Sequence, residues 1–396
     1  MNLRIVLLLG ALSAFGPLAI DFYLPAFPTL ALAFATDIEH VQLTLSAYFI
    51  GLAGGQLIYG PLADRFGRRK PLLFGVLLFS LASAICTLAG SLEWLIAARF
   101  LQALGGCAGM VISRAVVRDL CDPLASAKVF SQLMLVMGVA PILAPLLGGL
   151  LLAEFGWQSI FLCLTLFSAA CALAIALWLP ETLTQETPPH SLRQAPGKYL
   201  ALLKDRQFVG HALTGGLVMA GMFSYIAGSP FVFIELYKVP TQHYGWLFGM
   251  NAAGFILFAQ VNARLLGRHG PGYWLQHLIW VFLLGAVCLL AVSWLQPDAL
   301  WCLLLPLFVI IASLGCLLPN ASACAMAGHG NQAGSASAML GFIQFTLAAS
   351  ASALVGLLHN GTAQPMATVI CLCAFLATIC TLLTARLPAT SQLKLQ

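Results

Sequence analysis

Long apolar stretches fill this chain, separated by short polar or Gly/Pro-rich breaks. A helix needs about 20 residues to cross the hydrocarbon core of a bilayer. Twelve stretches of that order can be marked: Leu3–Phe27, Val41–Tyr59, Leu72–Gly90, Leu92–Ser113, Val129–Leu152, Ser159–Leu179, Phe208–Phe231, Tyr244–Val261, Tyr273–Leu295, Ala299–Asn320, Ala333–Leu358 and Pro365–Leu387. In lipid, backbone polar groups must be satisfied within the spanning structure, so segments of this length are helices. The pattern predicts an all-α membrane protein of twelve transmembrane helices.

Composition strengthens that reading. Of 396 residues, 61% are hydrophobic and only 8% charged, whereas soluble domains are roughly 45–50% apolar. Ala11-Leu12-Ser13-Ala14 loosely mimics a leader cleavage site, but the apolar run continues past it, so a retained first span is expected. The twelve cysteines lie in or at the ends of apolar runs without a CxxC pair, and read as small buried hydrophobes rather than disulfide or metal ligands.

The net charge of +5 is scattered over short loops, which fits the positive-inside rule better than a nucleic-acid partner. With a cytoplasmic N-terminus, sixteen of the eighteen Lys and Arg residues fall on the cytoplasmic side, Lys238 alone falls opposite, and Arg99 lies within the fourth span. Both termini are therefore expected in the cytoplasm.

Residues 181–207 form the longest polar interval, and the adjoining Pro180 precedes Pro188, Pro189 and Pro196. The expected organisation is an N-terminal six-helix bundle over 1–180, a cytoplasmic linker over 181–207 and a C-terminal six-helix bundle over 208–396. A shift of 200 residues aligns Ala63, Gly67, Arg68 and Pro71 with Ala263, Gly267, Arg268 and Pro271, with Arg264 where Asp64 stands. Duplicated bundles facing a central site are a secondary-transporter design.

Leaving aside Arg4, Glu93 and Arg386 at the span ends, Asp21 is the one acid and Arg99 the one base inside these spans, and intramembrane ionisable groups are expected to be functional. Asp21 could instead cap a helix end beside Pro25, and Arg99 could be a structural arginine. The glycines at 51, 54, 55 and 60 suit close helix packing, as does the small-residue run from Gly334 to Gly341. Gly138, Pro141, Pro145, Gly148 and Gly149 in span 5 suit packing or a hinge. Tyr23, Tyr48, Tyr225, Asn251, Asn320 and Gln344 are candidates to line a substrate cavity; His211 and His277 read as interfacial. Neither an HExxH pair nor a P-loop is present. The chain is expected to be no enzyme, to use no cofactor and to draw on a gradient, with protons as the coupling ion.

Gly60-Pro61-Leu62-Ala63-Asp64-Arg65-Phe66-Gly67-Arg68-Arg69 resembles the major facilitator loop motif G-x-L-A-D-R-x-G-R-[RK] at every specified position. Arg99-Phe100-Leu101-Gln102 resembles the span-4 arginine motif of proton-coupled members, with Ala103 in place of glycine. Ala144-Pro145-Leu146-Leu147-Gly148-Gly149 resembles the span-5 antiporter motif G-P-x-x-G-G, with Ala144 in place of the first glycine. Asp21-Phe22-Tyr23-Leu24-Pro25-Ala26, Arg114-Ala115-Val116-Val117-Arg118-Asp119 and Ser229-Pro230-Phe231-Val232 resemble the Bcr/CflA drug-resistance subgroup.

This resemblance covers nearly the whole chain and implies the major facilitator fold and proton-coupled efflux of bicyclomycin- or chloramphenicol-like compounds. It implies that Asp21 carries the proton, Arg99 tunes it and Asp64 helps latch the two halves. Gly60, Asp64, Arg65, Gly67, Arg68 and Arg69 would form the gating motif, and Pro145, Gly148 and Gly149 the antiporter hinge. The expected partners are a small-molecule substrate, neutral or mildly polar rather than dicationic, and the lipid bilayer; a monomer in a bacterial inner membrane is expected. A proton-coupled metabolite exporter or importer of the same fold is the alternative, with an integral membrane enzyme or a channel the more distant rivals.

Overall fold

The computed structural model describes residues 3–121, 123–183, 195–329 and 332–386, and these contain helices, turns and bends with no strand. The helices are α1 (Leu3–Ser13), α2 (Phe15–Asp21), α3 (Phe27–Ala33), α4 (Ile38–Phe66), α5 (Arg69–Thr87), α6 (Leu92–Leu120), α7 (Pro123–Phe155) and α8 (Gln158–Trp178). They continue with α9 (Ala195–Lys204), α10 (Arg206–Pro230), α11 (Thr241–Leu265), α12 (Pro271–Leu295), α13 (Trp301–Met326), α14 (Ala333–Leu357) and α15 (Gln364–Ala385). Among the described residues, 11 helical segments are long and apolar enough to cross a membrane, the run Leu3–Ala33 being one of them. The remaining expected span is α7, within which Val139–Phe155 is a shorter apolar stretch among the described residues.

Three boundaries differ from the sequence expectation. The first span reaches Ala33 rather than Phe27 and is interrupted twice, after Ser13 and after Asp21. Proline explains both breaks: Pro17 cannot donate to the Ser13 carbonyl, nor Pro25 to that of Asp21. A 3₁₀ turn, Leu24–Ala26, bridges the second break. Asp21 thus ends a helix within a longer span.

The charged stretch 60–71, which the sequence leaves between two spans, is mostly helix. α4 continues through Pro61 and Asp64 to Phe66, and only Gly67 and Arg68 separate it from α5. A proline within a helix forfeits one hydrogen bond, which flanking turns can absorb. The chain reverses at Gly67, whose φ of 84° suits glycine. Likewise α6 runs on to Leu120, carrying Arg114, Arg118 and Asp119 on a helix instead of in a loop. Hydropathy marks where lipid ends, while the helix itself continues into water.

The chain forms two compact units, Met1–Ala195 with Val239–Gly249 and Pro196–Lys238 with Met250–Gln396. In the first, α6 packs against α4 and α5, and α5 against α8. A Cβ on Gly51 would strike the Phe100 carbonyl, and one on Gly55 the Cys107 side chain, so α4 lies backbone-close to α6. Gly54 and Gly60 have open surroundings, so the packing expectation holds for only two of the four glycines. In the second unit α10 packs against α13, α14 and α15, and α12 against α13 and α15. Gly334 meets no neighbour within 4 Å and makes no tight helix contact.

Candidate functional site

The close approach of α4 to α6 sets Tyr48 of α4 against Arg99 of α6. The guanidinium carbon lies 4.2 Å from the Tyr48 ring centre, 4.8 Å from that of Tyr23 and 5.9 Å from that of Phe161. Arg99 is fully buried, at 0% exposure. Desolvating an ion costs several kcal/mol, and each desolvated cation–π contact returns roughly 2 kcal/mol. Two close rings therefore offset a penalty of that order without a carboxylate.

Hydrogen bonds complete the holding frame. Arg99 Nη1 donates to Gln102 Oε1 at 2.5 Å, and Gln102 Nε2 donates to Ser83 Oγ at 2.7 Å. Ser83 in turn donates to the Phe79 carbonyl of its own helix. Tyr23 and Thr44 share a 2.7 Å hydroxyl contact, which fixes the second ring. Arg99 Nε and Nη2 and the Tyr48 hydroxyl are buried without a hydrogen-bond partner.

Asp21 is 4% exposed and immediately precedes the break that presents Tyr23. Its main chain is pinned from α7: a Cβ on Gly148 would strike the backbone of Phe22. Pro145 lies inside α7, and Gly149 faces the Thr241 carbonyl. Among the described residues no ion pair joins Asp21 to Arg99 or to any other base.

A second cluster lies at the turn between α4 and α5. Arg68 pairs with Asp64 one helical turn earlier, and its Nε donates to Asp119 Oδ2 of α6 at 2.9 Å. Thr182 Oγ1 donates to the same Asp119 oxygen at 3.1 Å. Glu181 Oε1 accepts from the backbone N–H groups of Arg68 at 2.7 Å, Thr182 at 3.0 Å and Leu183 at 3.1 Å, while Oε2 accepts from that of Arg69 at 3.2 Å. A Cβ on Gly67 would collide with this carboxylate. Partial burial pushes Glu181 up, but the four N–H groups outweigh it and hold the carboxyl below the usual range. Burial pulls Arg68 down, and the Asp119 and Asp64 carboxylates more than reverse that.

Arg65 and Gly60 are placed apart from this cluster, whereas Arg69 joins it through its backbone N–H. Arg65 is exposed and lies over the Phe66 ring, a Cβ on Gly60 would meet open space, and the Arg69 side chain donates to the Ala176 carbonyl. In the second unit Asn251 Nδ2 donates to the Tyr225 hydroxyl at 3.1 Å. Gln344 is half-buried beside Gly215. Asn320 is committed elsewhere, exchanging amide hydrogen bonds of 2.9 and 3.2 Å with Asn262. Among the described residues no three His, Cys, Asp or Glu side chains gather as a metal site.

Sequence reasoning singled out Asp21, Arg99, Tyr23 and Tyr48 separately, and the structure sets both tyrosines on Arg99. It gave no role to Gln102, Ser83, Thr44 or Phe161. The three-residue spacing from Arg99 to Gln102 is a signal that a helix places them together. Glu181 and Asp119 were also passed over, since nothing local pairs them with residues more than fifty positions away.

The sequence model of the Major Facilitator Superfamily matches residues 7–353. The chain belongs to that superfamily. This major facilitator is 38% identical over 381 residues to "Uncharacterized MFS-type transporter YdgK" of Bacillus subtilis, covering 96% of this chain and 94% of that one. It is 30% identical over 362 residues to the "Bicyclomycin resistance protein homolog" of Haemophilus influenzae, covering 91% of each. Against "Multidrug resistance protein D" of Escherichia coli it is 30% identical over 345 residues, covering 87% and 86%. The solved D-xylose-proton symporter shares the fold, with a TM-score of 0.73 at 14% identity over 98% of both chains. The major facilitator is a transporter and not an enzyme.

Proposed function

We propose that this transporter exports small amphipathic drugs across a bacterial inner membrane in exchange for protons, with Asp21 as the proton-carrying group. The observation that carries this reading is a carboxyl buried in the first span without an ion pair among the described residues. An enclosed, unpaired carboxylate is costly, and the same group in water is not. A carboxyl that alternates between those settings takes up and gives off a proton as access changes. Each proton brings about 1.4 kcal/mol per pH unit and about 2.3 kcal/mol per 100 mV.

The drug class draws support from relatives named for resistance to bicyclomycin, to multiple drugs and, in Pseudomonas aeruginosa, to chloramphenicol. Gly148 supports the exchange mode, because it joins the span-5 Pro-Gly-Gly element to the backbone beside Asp21. Radiolabelled chloramphenicol should accumulate in respiring inverted vesicles bearing the wild type, and an uncoupler should abolish it. Gradient-driven accumulation in right-side-out vesicles instead would establish an importer and overturn the reading.

A further inference from the structure

Two donor atoms of Arg99, Nε and Nη2, are fully buried and donate to nothing. Its third nitrogen is committed to Gln102, which Ser83 locks in turn. The surrounding Tyr48, Tyr23 and Phe161 rings balance the charge but accept no hydrogen bond at that edge. What remains is the side of the guanidinium that grips an oxygen with two parallel N–H bonds. Tyr48, whose ring is nearest, carries a hydroxyl that is buried and unpartnered as well.

We propose that this edge of Arg99 is a recognition subsite for an acceptor oxygen, carbonyl or carboxylate, on the transported molecule. The inference rests on the export reading and narrows its substrate class. Unpaired buried donors cost far more than paired ones, so the site discriminates against molecules that bring no acceptor. Its positive charge, which no carboxylate pairs with among the described residues, also rejects cationic groups at the same point. Asp21, once ionised, is the other possible source of the oxygen, though no ion pair between them is present. A lysine at this position would keep the charge and lose the fork.

The test is calorimetric binding to the purified full chain in detergent, using chloramphenicol and its thioamide analogue, in which sulfur, a weaker acceptor, replaces the amide oxygen. The wild type is expected to bind the amide about tenfold or more tightly than the thioamide. Arg99→Lys should bring that ratio close to one by weakening the amide alone; unchanged thioamide affinity reports an intact site. Asp21→Asn should leave the ratio as in the wild type. A wild-type ratio near one overturns the proposal without reference to any variant, as does a ratio that survives Arg99→Lys. Loss of the ratio in Asp21→Asn overturns it by assigning the edge to Asp21. Failure of the wild type to bind either compound removes the export reading together with the subsite, whereas equal binding removes the subsite alone.

Discussion

Arg99 and Gln102 stand one turn apart on α6 and are joined by a 2.5 Å hydrogen bond from Nη1 to Oε1, in place of any ion pair between Arg99 and Asp21. The arginine is held by a neutral amide and by aromatic rings, which leaves the acid of the first span unneutralised. This separation underlies the account: one buried group is free to change charge, while the other keeps its charge in a fixed frame.

Removing the frame should loosen the arginine. In Gln102→Leu, Arg99 Nη1 and Ser83 Oγ both lose a partner, and an unsatisfied buried donor costs about 1–3 kcal/mol. A lowered melting midpoint with reduced drug efflux is the expected outcome. An unchanged midpoint would mean that the amide is dispensable.

The closeness of α4 and α6 can be tested with two neighbouring glycines. Gly55→Ala forces a methyl into Cys107, and overpacking of this kind costs about 1–3 kcal/mol. Gly54→Ala has open space and should be neutral or stabilising by up to about 1 kcal/mol, as alanine favours helix over glycine. Thermal unfolding of the two variants side by side reads the difference.

Glu181 gives a pH signature. Its folded pKa lies below its unfolded value, so its contribution is present above the unfolded carboxylate range, near pH 4.3, and is lost as pH falls through the folded value. Wild type should therefore be more stable than Glu181→Gln at neutral pH, and the two should converge in acid. Parallel curves across that window would remove Glu181 as the tie on the α4–α5 turn.

In the second unit, the reciprocal amides of Asn262 and Asn320 predict strong coupling. Either single change to leucine strands a buried amide, at about 1–3 kcal/mol. The double variant should cost less than the two singles together, by at least about 0.5 kcal/mol. Additive losses in a thermal double-mutant cycle would contradict the pairing.

The number and order of spans were legible because lipid imposes a minimum apolar length that local sequence displays. The continuation of α4 to Phe66 and of α6 to Leu120 was not, since helices that leave lipid stop being apolar without stopping being helical. Asp21 and Arg99 stood out through the rarity of charge in spans. Ser83 and Thr44 were hidden because small polar residues are common in membrane helices and acquire a role only from a neighbouring helix, whereas Gln102 was within reach as the residue one turn from Arg99 on the same helix. Glu181 was hidden differently: its partners are backbone N–H groups, which every residue but proline carries and no motif records.

Proton release from acid-loaded inverted vesicles on adding chloramphenicol or bicyclomycin, compared between wild type and Asp21→Asn, tests the central claim most directly. The account predicts drug-triggered proton efflux in the wild type and none in the variant. An equal response in the variant, or no response to either drug in the wild type, would contradict it.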